Sequence, residues 1–185
     1  MKRKKTEEVT IMKPTDILSD EHKKILKVAD ALNKECLLID KGKNIDKNFF
    51  EKAIDFIRNY ADKFHHAKEE DILFVELNKP GVMEHCNPVS QMLYEHDIGR
   101  GFVKGVIEAL NKSDRKKIVE NARGYVQLIQ EHIWKEDNIL YPMANEGLIS
   151  KMQELILKKF KEAENKKLKD KARYLELAEE FEKRK

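Results

Sequence analysis

The chain has 185 residues, which is enough for one domain with a sizeable hydrophobic core. Only seven residues are glycine and four are proline, while 38% are charged, which favours long amphipathic helices over a strand-rich fold. The net charge of +3 comes from 37 basic and 34 acidic side chains that are interspersed, so the composition argues against nucleic acid or an acidic membrane as a partner.

Residues 1–13 contain the basic cluster Lys2-Arg3-Lys4-Lys5 and are expected to form a flexible, solubilising N-terminus. This cluster is followed by Thr6-Glu7-Glu8, where a signal peptide would have its apolar segment. No apolar run elsewhere approaches the roughly 20 residues that span a bilayer. We therefore expect a cytoplasmic, all-α protein that does not insert into a membrane.

Four segments have apolar residues at the 3.6-residue period of an amphipathic helix. Thr15 or Asp16 is expected to cap the first helix, and Pro142 to end the fourth. The first predicted helix starts after Pro14-Thr15-Asp16 and runs to about Asp40, and the next three span about residues 46–78, 88–112 and 113–142. Residues 148–185 predict two further helices without histidine, packed on the outside of the bundle or against a second subunit as a homodimer.

In each of the four helices, residues with metal-ligand side chains replace apolar residues within the inward-facing stripe. The stripe of the fourth helix, for example, contains Ile118, Ala122, Tyr125, Ile129, His132, Glu136 and Ile139. Burying such polar groups without a partner costs a few kcal/mol, so something inside the bundle must satisfy them. The candidate metal ligands are His22, His65, Glu69, His96, His132 and Glu136.

Two stretches, residues 65–74 and 132–141, share the pattern H-x-x-K-E-(E/D)-x-I-L-aromatic. A His and a Glu four residues apart on a helix lie about 40° apart around its axis and about 6 Å along it, close enough to hold one metal. Two such pairs indicate two helices that present His and carboxylate to a shared interior.

Four imidazoles and two carboxylates suit iron, manganese or zinc, and carboxylates that can bridge favour a dinuclear centre, for which iron is our choice. Cys36 and Cys86 are not in a CxxC arrangement, which argues against structural zinc and iron–sulfur clusters.

Several assignments around this core remain open. His66 and Glu70 form a second pair at the same spacing, and Asp137 is a rival to Glu136. His66 is expected in a supporting or surface position, and His85 in solvent. Groups expected to orient the ligands or line a ligand pocket are Tyr60, Tyr94, Glu95, Tyr125, Gly99 and Arg100. Gly99 is expected to leave room for a small ligand, whereas Gly101 and Gly105 are expected to admit a neighbouring helix.

The segments Asp20-Glu21-His22, residues 64–74, residues 94–100 and residues 132–142 resemble the hemerythrin HHE cation-binding family, over roughly residues 14–147. The resemblance implies an up-and-down antiparallel four-helix bundle around two non-haem irons, in proteins that bind dioxygen, respond to nitric oxide or handle iron. It also implies that the four histidines are terminal ligands and that Glu69 and Glu136 bridge the irons.

One position departs from the oxygen-carrying hemerythrins, which have a further His where this chain has Arg100. Four His, two bridging carboxylates and an oxo or hydroxo bridge leave about two of roughly twelve coordination positions open. With two open positions, catalytic turnover of peroxide or NO is as plausible as reversible binding of O2. Arg100 either holds an anion near the metals or turns away to pair with Glu95 or Asp97.

The leading functional hypothesis is therefore a di-iron protein that binds or reduces O2, peroxide or NO, with its status as an enzyme left open. The alternatives are an iron-handling or redox-sensing module that acts through a protein partner, and a metal that serves only to hold the bundle together.

Overall fold

The computed structural model of the protein describes residues 12–83, 86–167 and 171–184. Within those ranges the chain forms six helices and no strands, which confirms the predicted all-α fold. The helices are α1 (Pro14–Asp40), α2 (residues 47–77), α3 (Val89–Asn111), α4 (residues 115–147), α5 (Ser150–Lys167) and α6 (Lys171–Lys183). Among the described residues, none of these helices combines the length and the apolar character needed to cross a membrane. His85 and nearly all of the predicted flexible N-terminus lie outside the described residues.

The first four helices begin close to their predicted limits, and short polar side chains accept hydrogen bonds from backbone amides at the start of α1, α2 and α4. The Asp46 carboxylate accepts a hydrogen bond from the Phe49 amide at 3.0 Å, and Asp114 accepts one from the Lys117 amide at the same distance. In α1 the Lys13 amide donates to the Asp16 carboxylate at 2.8 Å. The helix therefore begins slightly earlier than the predicted cap.

Two of the helices change their winding where the duplicated motifs lie. In α2, π-helical turns cover Ile57–His66 and Glu69–Leu73, and in α4 a π-helical turn covers Glu136–Leu140. A π turn bonds residue i to i+5, so it takes up more residues per turn than an α-helix and rotates the face that points inward. Such turns are frequently found at functional sites.

The predicted end of the fourth helix at Pro142 is wrong, because α4 continues to Gly147. The π turn widens the backbone directly before Pro142, where proline lacks an N–H to donate. After the same turn the Ile139 side chain is 43% exposed and the Leu140 side chain only 1% exposed. The predicted inward position of Ile139 is therefore also wrong.

The hydrophobic core consists of two clusters, and the C-terminal helices contribute to both. The larger cluster joins α1–α4 to Tyr174, Leu177, Ala178 and Phe181 of α6. The smaller cluster joins the opposite part of the bundle to Ile156 and Phe160 of α5. The sequence left two placements open for these helices, on the outside of the bundle or against a second subunit. In the structure they pack against the bundle of their own chain.

A matched pair of glycine substitutions tests the close approach of Gly147 to Val82. A Cβ on Gly147 would collide with the backbone carbonyl oxygen of Val82, whereas a Cβ on Gly101 meets no described atom within 4 Å. We expect Gly147→Ala to lower the free energy of unfolding by about 1–3 kcal/mol. Gly101→Ala should raise it by up to about 1 kcal/mol, because alanine favours helix more than glycine. Urea unfolding measures both, and similar effects of the two substitutions would contradict the close contact at Gly147.

Candidate metal centre

The six predicted ligands converge in one buried layer of the bundle, and each is at most 2% exposed: His22, His65, Glu69, His96, His132 and Glu136. Each of the four bundle helices contributes at least one of them. Their ligand atoms fall into two neighbouring groups. His22 and His65 face each other on one side, with ring centroids 4.7 Å apart and planes at 62°, and His96 and His132 repeat this at 4.7 Å and 65°. We call these the A pair and the B pair.

The two glutamates lie between the pairs. Glu136 directs Oε2 to His22 Nε2 at 3.2 Å and Oε1 to His132 Nε2 at 3.3 Å. Glu69 Oε2 lies 3.6 Å from Nε2 of both His65 and His96. Each carboxylate thus faces one histidine of each pair, which is the placement that a bridging carboxylate requires.

A bound cation fits this donor set. Neither Glu136 oxygen nor Glu69 Oε2 receives a well-aligned hydrogen bond from any described residue, although all three atoms are buried. Leaving one buried acceptor unsatisfied costs about 1–3 kcal/mol, and more for a charged group. Imidazole nitrogen and carboxylate oxygen are ligands that iron, manganese and zinc accept.

Each of the four histidines is oriented from behind by a carboxylate. The Nδ1 distances are 3.0 Å for His22 to Asp137, 2.9 Å for His65 to Glu21, 2.7 Å for His96 to Glu70 and 2.9 Å for His132 to Glu95. This contact leaves every Nε2 facing the interior, as in carboxylate–histidine–metal arrangements. Glu70 and Asp137, which the sequence left open as ligands, occupy these outer positions.

The lysine of each duplicated motif secures one of these outer carboxylates. Lys68 donates to Glu21 and Lys135 donates to Glu95, and each of these glutamates also contacts the histidine of the same motif. The motif therefore places a His and a Lys, three residues apart, on one carboxylate from the neighbouring helix. Sequence reasoning recorded these lysines in the pattern but assigned them no role.

Arg100 supports the B pair through its outer carboxylate. Its guanidinium donates to Glu70 at 2.6 Å, to Asp62 at 2.8 Å and to Asp97 at 2.8 Å. Glu70 in turn contacts His96. Of the partners considered from the sequence, Asp97 is correct, whereas Glu95 binds His132 and Lys135 instead.

Two side chains break the resemblance between the halves of the centre. Tyr141 stacks on His22 and donates to Glu69 Oε1 at 2.6 Å, whereas Phe74, at the matching position, stacks on His96 and has no hydroxyl. His66 lies beside the B pair where the second motif has Ile133. The aromatic position of the duplicated motif was the sequence signal for Tyr141, and its role was missed.

Of the two positions expected for His66, it takes the one beside the ligands and not the one on the surface, because the residue is only 6% exposed. Its ring stacks on His96 with centroids 3.8 Å apart and planes at 12°. An imidazole lone pair lies in the plane of its ring, so two nearly parallel stacked rings do not direct their lone pairs at one ion. In this arrangement His66 stands next to the B pair with both ring nitrogens lacking a hydrogen-bond partner among the described residues.

A cavity of about 280 Å³ adjoins the B pair between α2, α3 and α4. His66, Tyr125 and Gly99 line it, as do Arg100 and several apolar side chains. A Cβ on Gly99 would lie 3.5 Å from Leu128 and 3.9 Å from Tyr125, so the glycine leaves space on this side.

Other predicted positions differ. Tyr94 is 61% exposed and lies away from the centre, because Glu95 and His96 take the inward positions of that helical turn. Tyr60 is buried but stacks on Phe56 in the apolar core. Gly105 does lie against a neighbouring helix, at the Asn121 side chain, whereas Gly101 meets none of the described residues.

Burial and neighbouring charges shift the pKa values of the side chains in this layer, and the direction differs from one side chain to the next. Burial and the charge of Glu136 raise the pKa of Glu69 well above its ordinary value. Burial would raise the pKa of Glu136 too, but the neighbouring His132 and His22 lower it well below that value. Burial works against protonation of His132, yet Glu136 and Glu95 raise its pKa to about 9.

The family comparison agrees with this site. The hemerythrin HHE cation binding domain matches residues 13–144, and the chain belongs to this family. No curated protein matches the chain significantly. The family is a cation-binding one, and the buried His and Glu side chains of the layer provide ligands for a metal.

The lysines of the two motifs provide a matched test of the outer contacts. Lys68 is fully buried, whereas the Lys135 side chain is 32% exposed. Removing one partner of a buried ion pair costs about 3–5 kcal/mol, so Lys68→Met should lower the free energy of unfolding by that order. Lys135→Met should cost about 1 kcal/mol or less. Urea unfolding of both metal-free variants measures the difference, and equal losses would contradict the role given to burial.

The shifted proton affinities predict that metal uptake releases protons. At pH 7 the metal-free protein holds a proton on His132, whose pKa is about 9, and burial and Glu136 raise the pKa of Glu69 in the same direction. Ligands must lose these protons to bind a metal, so affinity should rise as the pH increases from about 6 to 9. Calorimetry with cobalt(II) in buffers of different ionisation enthalpy should show at least one proton released per chain. A binding heat that does not depend on the buffer would contradict this prediction.

Proposed function

We propose that the protein binds two iron ions, one at the A pair and one at the B pair, and that this centre binds or reduces O2, peroxide or NO. The observation that supports it most directly is Glu136, whose two oxygens face His22 on one side and His132 on the other. A single ion does not require such a division of one carboxylate between two pairs of histidines. The iron count, the bridging oxygen and the reaction all belong to the proposal.

The proposed ligands are His22 and His65 for one ion, His96 and His132 for the other, and Glu69 and Glu136 for both. When bound, the irons supply reversible oxidation and open coordination positions for a small oxidant. Four His, two bridging carboxylates and a bridging oxygen fill about ten of twelve positions, so about two remain.

Several side chains prepare the layer for this role. The Tyr141 hydroxyl donates to Glu69 Oε1 and thereby leaves Oε2 directed at His65 and His96. The outer carboxylates hold every Nε2 toward the interior, and Arg100 secures one of them instead of holding an oxidant itself. The surrounding apolar clusters flank the layer, in which each of the six ligands is at most 2% exposed.

His66 is assigned a contact with the bound oxidant. It lies beside the B pair and lines the cavity. Its Nδ1 faces Asp62 Oδ1 at 3.6 Å, and its Nε2 has no hydrogen-bond partner among the described residues. A neutral imidazole has one N–H to donate and one nitrogen to accept, and burial lowers the pKa of His66 well below its ordinary value. It is thus placed to donate a hydrogen bond to an oxygen atom held at the B pair.

One contact supports the alternative of a redox or iron sensor. Lys68, which secures Glu21 behind His65, also lies 3.7 Å from Glu164 and 5.5 Å from the Phe160 ring centroid, both in α5. A change in the A pair would therefore reach the C-terminal helices through Glu21 and Lys68.

Iron analysis and stopped-flow spectroscopy of the anaerobically reduced protein test the proposal. We expect two irons per chain, and either a reversible oxygenated spectrum or catalytic loss of peroxide or NO. His66→Phe keeps a ring that stacks on His96 but removes both nitrogens, so it should retain two irons and shorten the lifetime of the oxidant complex about tenfold.

Each outcome has a distinct meaning. One iron per chain in the wild type, or zinc in its place after growth with added iron, would contradict the dinuclear centre. If the His66→Phe variant bound one iron per chain and the wild type bound two, His66 would be a metal ligand. A protein with two irons that is inert to O2, peroxide and NO would contradict oxidant chemistry, and iron-dependent hydrogen exchange in α5 would then favour the sensor.

A further inference from the structure

The cavity beside the B pair is larger than a diatomic ligand requires. Its volume is about 280 Å³, whereas an engineered cavity of about 150 Å³ holds a benzene molecule. By that proportion it accommodates an organic molecule of about ten non-hydrogen atoms. Dioxygen or nitric oxide would leave most of this space empty.

The walls of the cavity are mainly apolar. Ile57, Val103 and Ile129 are buried along it, with Ile107 and Leu128 partly buried beside them. A space walled in this way favours a hydrocarbon body, because contact with apolar side chains removes that body from water.

A buried hydroxyl in the same cavity lacks a partner. The Tyr125 hydroxyl receives or donates no hydrogen bond within the described residues. His66 differs, because its Nδ1 faces Asp62 Oδ1 at 3.6 Å. Leaving a buried hydroxyl unsatisfied is costly, and Tyr125 has a hydrogen to donate, so a ligand that satisfies it carries an acceptor group.

The charges around the cavity favour an anion. Its two carboxylates are already paired, Asp62 with Arg100 and Glu95 with Lys135. Arg58 and Lys104 are exposed at its edge, where Lys104 lies 3.9 Å from Glu108. This positive edge raises the local concentration of small anions.

We propose that the cavity binds a monocarboxylate with a hydrocarbon body of about seven to nine carbons, its carboxylate accepting a hydrogen bond from Tyr125. The hydrocarbon lies against Ile57, Val103 and Ile129. This proposal concerns binding alone and does not require the irons, so it stands or falls separately from the proposed oxidant chemistry.

Calorimetry of the purified, iron-loaded protein with octanoate tests the proposal, and acetate, 1-octanol and octylammonium serve as comparison ligands. We expect octanoate to bind at one site per chain, and each comparison ligand to bind at least tenfold more weakly. Acetate lacks the apolar body, octanol lacks the charge, and octylammonium has the wrong charge. Acetate binding as tightly as octanoate would place the anion on the metals alone and overturn the proposal.

Three variants locate the site. Tyr125→Phe removes only an unpartnered hydroxyl and should weaken octanoate about tenfold. Gly99→Val directs methyl groups into the cavity and should weaken binding more than tenfold, because the first added carbon already reaches contact distance of Leu128 and Tyr125. Gly101→Val makes the same change in helix propensity on the outer face and should bind octanoate as the wild type does.

The result that would overturn the proposal is equally specific. Octanoate affinity that is unchanged in both Tyr125→Phe and Gly99→Val would place the ligand outside the cavity. Equal weakening in Gly99→Val and Gly101→Val would attribute the effect to α3 rather than to the filled space. Absence of octanoate binding to a protein that retains its iron would refute the cavity ligand while leaving the metal centre intact.

Discussion

The burial of many ionisable side chains in one layer is the constraint on which the rest of this structure depends. Polar groups taken out of water must find partners, and charged ones most of all. Here each histidine has partners on both ring nitrogens. Nδ1 contacts an outer carboxylate, and Nε2 faces one of the two central glutamates. The layer lies between two apolar clusters that fix the four helices, so the polar atoms have little freedom to reach water.

This constraint explains why the bundle consists of two similar halves. In one half, Glu21 and His22 of α1 meet the first duplicated motif on α2, and in the other, Glu95 and His96 of α3 meet the second motif on α4. The outer partner of His22 comes from the opposite half, and so does that of His96. The halves therefore hold each other's ligands in place and neither is complete alone.

The sequence predicted the elements that depend on periodicity and spacing. The helices and the six central side chains follow from apolar stripes and from the His–Glu spacing of four, whereas the predicted cap of α1 does not match, because Lys13 takes that position. Ile139 was placed wrongly because the sequence pattern assigned it to the inward face, which the π turn rotates. Tyr94 was expected to orient the ligands, but it lies on the exposed side of its helical turn. The sequence left two positions open for His66, which lies within the π-helical part of α2. The contacts of Lys68, Arg100 and Tyr141 join helices that are distant in sequence, and no single-helix pattern encodes them.

The charges of the layer connect its stability to its chemistry. Six carboxylates contact the four histidines, and three cationic side chains, Lys68, Arg100 and Lys135, secure three of the outer ones. With neutral imidazoles this leaves an excess of three negative charges in a buried region, which is unfavourable without counter-charge. The metal-free protein reduces that excess by binding protons, as the raised pKa values of His132 and Glu69 indicate. Two divalent ions would supply four positive charges in place of those protons, so the same imbalance that makes the empty layer costly gives it affinity for a pair of cations.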